Sequence, residues 1–186
     1  GIVDKIMVLT EKRKLYSQPT SIEEAEEIQL RLAQEVSLRP PFKSITEIHT
    51  VAGVDVSFNE YLQCADVGIA VVALPDLVIT EKLAVKVNLT DLFPYIPALL
   101  AFRELQPVLE VIGNLKTDPD VVLCDGQGIA HPRRMGLAAQ LGIILDKPTV
   151  GCAKSWLYGL YLDLPPHGID GAYVFLKDTN DEVIGA

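Results

Sequence analysis

Residues 50–58, 65–74 and 77–87 are three strand-like runs, rich in Val, Ile and Ala, separated by links too short to do anything but reverse the chain. Parallel neighbours need a crossover of about a dozen residues or more, so these runs can only form an antiparallel meander. Pro75-Asp76, between the second and third runs, is a turn pair. After the meander the pattern changes. From Pro97 onward Leu99, Leu100, Phe102, Leu105, Val108, Leu109 and Ile112 recur at helical spacing, with Pro107 expected to kink or restart the helix. Residues 120–124 read as a short buried strand, 133–141 as a helix closed by Gly142, and 149–153 as a second buried strand.

Ahead of the meander, Ser21-Ile-Glu-Glu24 has capping-box spacing, and Ile22, Ala25, Ile28, Leu32 and Val36 form an apolar stripe that extends the helix to about residue 37. Residues 171–177 and 182–184 flank a hairpin turn at 178–181. The order is helix, three strands, helix, strand, helix, strand, hairpin. It predicts an α/β fold in which a mixed sheet, an antiparallel three-strand meander plus parallel strands, is flanked by helices. This is the connectivity of the ribonuclease H fold. At 186 residues, 49% of them apolar, the chain supports one core, and residues 1–186 are read as a single domain.

No uninterrupted apolar stretch reaches about 18 residues, and Asp4, Lys5 and Glu11 do not make a leader peptide, so a cytoplasmic protein without a membrane partner is expected. Cys64, Cys124 and Cys152 are far apart, two of them in apolar runs, which favours buried free thiols over disulfides or zinc. A net charge of −9 argues at first against a nucleic-acid partner. Its distribution reopens the question. Between residues 102 and 158, Arg103, Lys116, Arg133, Arg134, Lys147 and Lys154 balance Glu104, Glu110, Asp118, Asp120, Asp125 and Asp146. Neutralising Glu104 and Asp125 with metal would leave that segment locally positive.

Three carboxylates carry the chemistry. Asp55 lies mid-strand in Val54-Asp-Val56, where an unpaired buried charge is costly. Asp125 ends the 120–124 strand before Gly126-Gln-Gly128, at the strand terminus where α/β sites gather. Glu104 falls on the stripe of Leu100 and Val108. All three are expected to point at buried surface, and a hard divalent cation, Mg²⁺ or alternatively Mn²⁺, is the economical way to satisfy them. Each alone has an ordinary reading as an edge, turn or paired residue. Together they indicate metal-dependent phosphoryl chemistry.

Four strings sharpen this. Val51-Ala-Gly-Val-Asp-Val-Ser-Phe58, Phe93-Pro-Tyr-Ile-Pro-Ala-Leu-Leu-Ala-Phe-Arg-Glu104, Asp125-Gly-Gln-Gly-Ile-Ala-His-Pro-Arg-Arg134 and Gly151-Cys-Ala-Lys-Ser-Trp-Leu-Tyr-Gly159 resemble, in order and spacing, the signature blocks of the endonuclease V family. The resemblance implies a ribonuclease-H-like, magnesium-dependent enzyme of deaminated-base repair, probing DNA or RNA that contains hypoxanthine. It cuts the second phosphodiester bond 3′ to deoxyinosine, or acts on inosine in RNA. It implies Asp55 and Asp125 as metal ligands, Glu104 completing the site, and Lys154 at the scissile phosphate. Tyr95 becomes the wedge that replaces an extruded base, with Leu100, Gly126, Gly128, His131 and Leu157 around the base pocket.

Ordinary readings stand beside these. Leu100 and Leu157 suit a core, Tyr95 could pack on the sheet, and His131 could cap a helix. Two positions depart from the family pattern: Ala98 stands where glycine is usual and Trp156 where arginine is common. Family members also continue beyond this point into a further segment, so the C-terminal part is expected to be missing. The expected assembly is a monomer. A non-cleaving binder of damaged or branched nucleic acid is the alternative reading, and a ribonuclease-H-like nuclease with another substrate is a third.

Overall fold

The computed structural model describes residues 18–89, 93–164 and 167–186. The residues on which the expected lack of a leader rested, Asp4, Lys5 and Glu11, lie outside that set. Helix α1 (Ile22–Ala33) starts with one half of the expected capping box: Ser21 Oγ accepts from the Glu24 amide at 3.1 Å, whereas Glu24 Oε2 accepts from the amide and hydroxyl of Thr20, one residue before the N-cap. It ends sooner than the apolar stripe suggests. The amides of Glu35 and Val36 bond the carbonyls of Leu32 and Ala33, which tightens the chain into three-residue turns.

The meander forms as expected. Strands β1 (Thr50–Asn59), β2 (Cys64–Ala73) and β3 (Val78–Asn88) pair antiparallel, and β4 (Val121–Cys124) and β5 (Thr149–Gly151) add parallel to β1, giving the order β3-β2-β1-β4-β5. This is the mixed ribonuclease-H-like sheet. The Asp120 carboxylate fastens its centre by accepting from the His49 and Thr50 amides at 2.8 and 2.9 Å, locking the start of β1 to the start of β4. Side-chain alternation then sorts the faces. Ala52, Val54, Val67, Ile69 and Val71 form the buried face. Gly53, Asp55, Ser57, Asp66, Gly68, Ala84 and Lys86 look the other way and are exposed or half-exposed.

Helices α2 (Ala101–Ile112) and α3 (Leu137–Leu145) cover the buried face with Leu105, Val108, Leu109, Ile112, Leu141 and Ile144. Both differ from expectation at their ends. Ala98, at φ +66°, cannot belong to a right-handed helix, so α2 begins at Ala101 and not near Pro97; it then runs unbroken through Pro107. The segment before α3 turns at Arg134 (φ +58°), and the left-handed C-cap is Asp146 (φ +53°). Gly142 lies inside α3 because a Cβ there would sit 2.6 Å from Thr149 Oγ1, so the glycine permits helix-on-strand contact. The hairpin is shorter than its apolar pattern, β6 (Leu176–Lys177) against β7 (Val183–Gly185). A second cluster of Ala25, Ile28, Leu32, Phe93, Leu99, Phe102 and Met135 seats α1. Cys64 and Cys124 are buried free thiols as expected, whereas Cys152, past the end of β5, is exposed. Among the described residues no helix is long and apolar enough to cross a membrane.

Candidate functional site

Val54 lies opposite Cys124 in the parallel ladder, and the Asp125 amide donates to the Val54 carbonyl at 3.2 Å. Asp55 and Asp125 are therefore next in register, one residue past the last shared rung. There the β1–β4 ladder ends. Asp125 is half-buried, but the Asp55 side chain is 65% exposed, against the expectation that all three acids point at buried surface. Strand parity accounts for the exposure of Asp55: Val54 takes the core side, so Asp55 must take the open side.

The Lys154 ammonium spans the two, ion-paired to Asp125 and 3.7 Å from Asp55 Oδ2. The hydrogen bond and charge of Asp125, then the charge of Asp55, hold the Lys154 pKa above the usual lysine value. Glu104 completes the group from α2. Burial pushes its carboxyl up to about 7, reinforced by the charges of Asp125 and Asp55 and opposed by Arg103. Burial and the two neighbouring carboxylates thus both favour the protonated form of Glu104. Among the described residues no three of His, Cys, Asp or Glu close around one point as a full protein cage would. The arrangement is an open pair of carboxylates with a third beside it.

Behind them lies a cavity of about 310 Å³ lined by Asp55, Glu104 and Asp125 together with Tyr95, Leu100, Gly126, His131, Lys154 and Leu157. Nine of the ten residues singled out in the sequence thus meet here. Gly128 does not line it: it faces a larger neighbouring groove, and its carbonyl accepts from the Gly136 amide. Tyr95 is 67% exposed at the rim, so it is not packed on the sheet. Trp156, also at the rim, donates Nε1 to the Gly159 carbonyl at 2.9 Å.

His131 is fully buried, with Nε2 2.7 Å from the Ala98 carbonyl and Nδ1 accepting from the amides of Arg133 and Met135. Those amides oblige Nε2 to carry the proton, so the ring is a neutral tautomer with no position free. Burial, and then the charges of Arg133 and Arg134, bring it down to about 4 despite the Ala98 bond. The folded pKa lies below the unfolded one, so as pH falls the unfolded chain takes the proton first. This contribution to stability is complete above about pH 6.5, declines towards pH 4 and is flat below, a loss of about 3 kcal/mol. Urea unfolding at pH 7.5 and 4.5 checks it: His131→Asn should remove most of the difference, and an unchanged difference would assign the acid sensitivity elsewhere.

A sequence profile described as Endonuclease V matches residues 30–186. The chain belongs to the endonuclease V family. It is similar to the endonuclease V of Rippkaea orientalis, at 45% identity over 81% of this chain and 64% of that protein. The crystal structure of the Streptomyces avermitilis endonuclease V superposes with a TM-score of 0.79 at 34% identity, covering 90% of this chain and 71% of that one. A Ciona intestinalis endonuclease V, solved in complex with a 23mer DNA containing an inosine followed by a ribo-adenosine, superposes at 0.67 with 30% identity, covering 82% and 61%. The chain spans a little under two thirds of the length of the Rippkaea relative.

Two glutamines, one lining the cavity and one behind it, carried no role in the sequence reading. Gln127 donates to the Ser155 carbonyl at 2.8 Å, tying the turn after Asp125 to the segment that carries Lys154. Gln29 is fully buried in α1 and bonds the carbonyls of Ala98 and Met135. Its signal was visible as a polar residue on the stripe of Ala25, Ile28 and Leu32.

Proposed function

We propose that this chain is the core of an endonuclease that hydrolyses the second phosphodiester bond 3′ to deoxyinosine in DNA, or acts at inosine in RNA, with Mg²⁺ or Mn²⁺ as cofactor. The observation that carries the reading is the meeting of Asp55, Glu104, Asp125 and Lys154 at the mouth of a base-sized cavity. The inosine-containing DNA bound by the Ciona relative supports the substrate class.

The donors fit a hard divalent cation. They are all oxygen, and two of them are adjacent in register. Asp55 and Asp125 would hold the ion, with Glu104 beside them; the ion supplies electrostatic stabilisation to charge developing on phosphate oxygens. Lys154 reaches both aspartates, and its exposed ammonium would contact the scissile phosphate. Tyr95, held between Pro94 and Pro97 at the rim, fills the gap in the stack left by the extruded base. Hypoxanthine differs from adenine at its Watson–Crick edge, which the cavity can read only after extrusion.

The test is to incubate the protein with inosine-containing and plain strands, duplex and single, with and without Mg²⁺, and to map the cut. Cleavage at the second bond 3′ to inosine, dependent on the metal, supports the proposal. Binding without cleavage favours a holding role, and cleavage indifferent to inosine removes the base specificity. In the same assay Tyr95→Ala should lose roughly tenfold more activity on duplex than on single strands, because only the duplex offers a stacked partner to displace. Equal losses would return Tyr95 to a packing role.

A further inference from the structure

Ala98 adopts φ +66°, a left-handed conformation unfavourable for any residue with a Cβ. Something must hold it there. Three donors converge on its carbonyl: Gln29 Nε2 at 2.9 Å, His131 Nε2 at 2.7 Å and Arg133 Nη2 at 3.4 Å. The donors also hold one another. Arg133 Nε donates to Gln29 Oε1 at 2.6 Å, and Arg133 Nη1 pairs with Glu26 at 3.0 Å. One carbonyl thus joins α1, the turn before α2 and the loop after β4. Tyr95 and Leu100 flank it in sequence, and all three residues line the cavity.

We infer that Gln29 and Arg133 are positioning residues for the base-binding cavity, acting through the Ala98 carbonyl to hold residues 95–100 in the conformation that presents Tyr95 and Leu100 to the base. The inference rests on the endonuclease reading for the identity of the ligand. The geometry of the clamp does not depend on it. A buried glutamine that merely satisfied its own polar groups would stabilise the fold without any particular tie to residue 98. A clamp predicts such a tie, because glycine adopts the left-handed conformation without penalty and so has less need of being held.

Four proteins decide it: the parent, Gln29→Leu, Ala98→Gly and the double variant, each read by hydrogen exchange over residues 95–100 and by the kinetics of inosine-duplex nicking. Gln29→Leu should speed exchange in that segment and raise KM roughly tenfold with kcat within about twofold, the scale of one strained residue released. Ala98→Gly in the same background should recover most of both. Losses that are the same with glycine or alanine at 98, or exchange that does not change, would overturn the inference. Where Gln29→Leu does not fold, Gln29→Asn, one methylene too short to reach the carbonyl, replaces it in the same cycle. A parent that does not nick inosine DNA sinks the endonuclease reading, while the exchange measurements still decide the clamp.

Discussion

Asp125→Ala should abolish strand nicking while leaving affinity for inosine DNA within about threefold of the parent, since removing a negative charge does not weaken contacts to phosphate. The loss follows from position. Asp125 is half-buried, ion-paired to Lys154, in register with Asp55, and one of two negative charges acting on Glu104, so its removal alters the other three members of the site together. Several kcal/mol of charge stabilisation disappear, and at about 1.4 kcal/mol per factor of ten the rate falls at least roughly a thousandfold. Single-turnover nicking and fluorescence anisotropy at one fixed salt concentration measure the two quantities separately. Ordinary turnover by the variant would remove Asp125 from the chemistry, and a matching loss of affinity would recast it as a structural residue.

Gly151→Ala carries the second large effect, and it acts without touching any acid. A Cβ at Gly151 would lie 2.5 Å from both the Gly126 carbonyl oxygen and the Gly128 amide nitrogen, and 2.8 Å from the Gln127 carbonyl carbon. All three are backbone atoms of the turn that follows Asp125, so no side chain can swing aside. Overpacking of this kind costs about 1–3 kcal/mol, and a displacement near 1 Å at the reacting groups costs roughly a hundredfold in rate. Gly53→Ala provides the comparison, because nothing lies within 4 Å of a Cβ there, and its stability should stay within about 0.5 kcal/mol of the parent. Thermal melts of both variants, with nicking measured on Gly151→Ala, are sufficient. A Gly151→Ala protein as stable and active as the parent would mean that the turn yields.

Much of this architecture was legible because its signals are local. The meander followed from link length alone, and β4 followed from an apolar run ending in Asp-Gly. What resisted reading depended on partners remote in sequence. The start of α3 is set by His131, which binds the following amides to its ring and delays the helix to Leu137; periodicity from residue 133 carried no sign of this. Gly142 looked like a helix terminator because glycine commonly is one, whereas its cause is Thr149 on the next strand. The acids were found individually, but the exposure of Asp55 was misjudged. An apolar neighbourhood in sequence says that a strand is buried on one face and not which residues take the other. Gln29 had a signal, but its partners at positions 98, 133 and 135 were out of reach of any local pattern.

The register of β1 against β4 acts as a ruler. Asp55 and Asp125 leave neighbouring strands at the same level, so their backbones stand one interstrand repeat apart, about 4.8 Å, a distance fixed by amide geometry and repeated along the whole ladder. Lys154 comes from an irregular segment and Glu104 from a helix that can tilt. The site therefore has a stiff jaw and a compliant one. Changes elsewhere in the protein can retune how Lys154 and Glu104 sit against the pair, but the spacing of the two aspartate backbones moves only if the strands part.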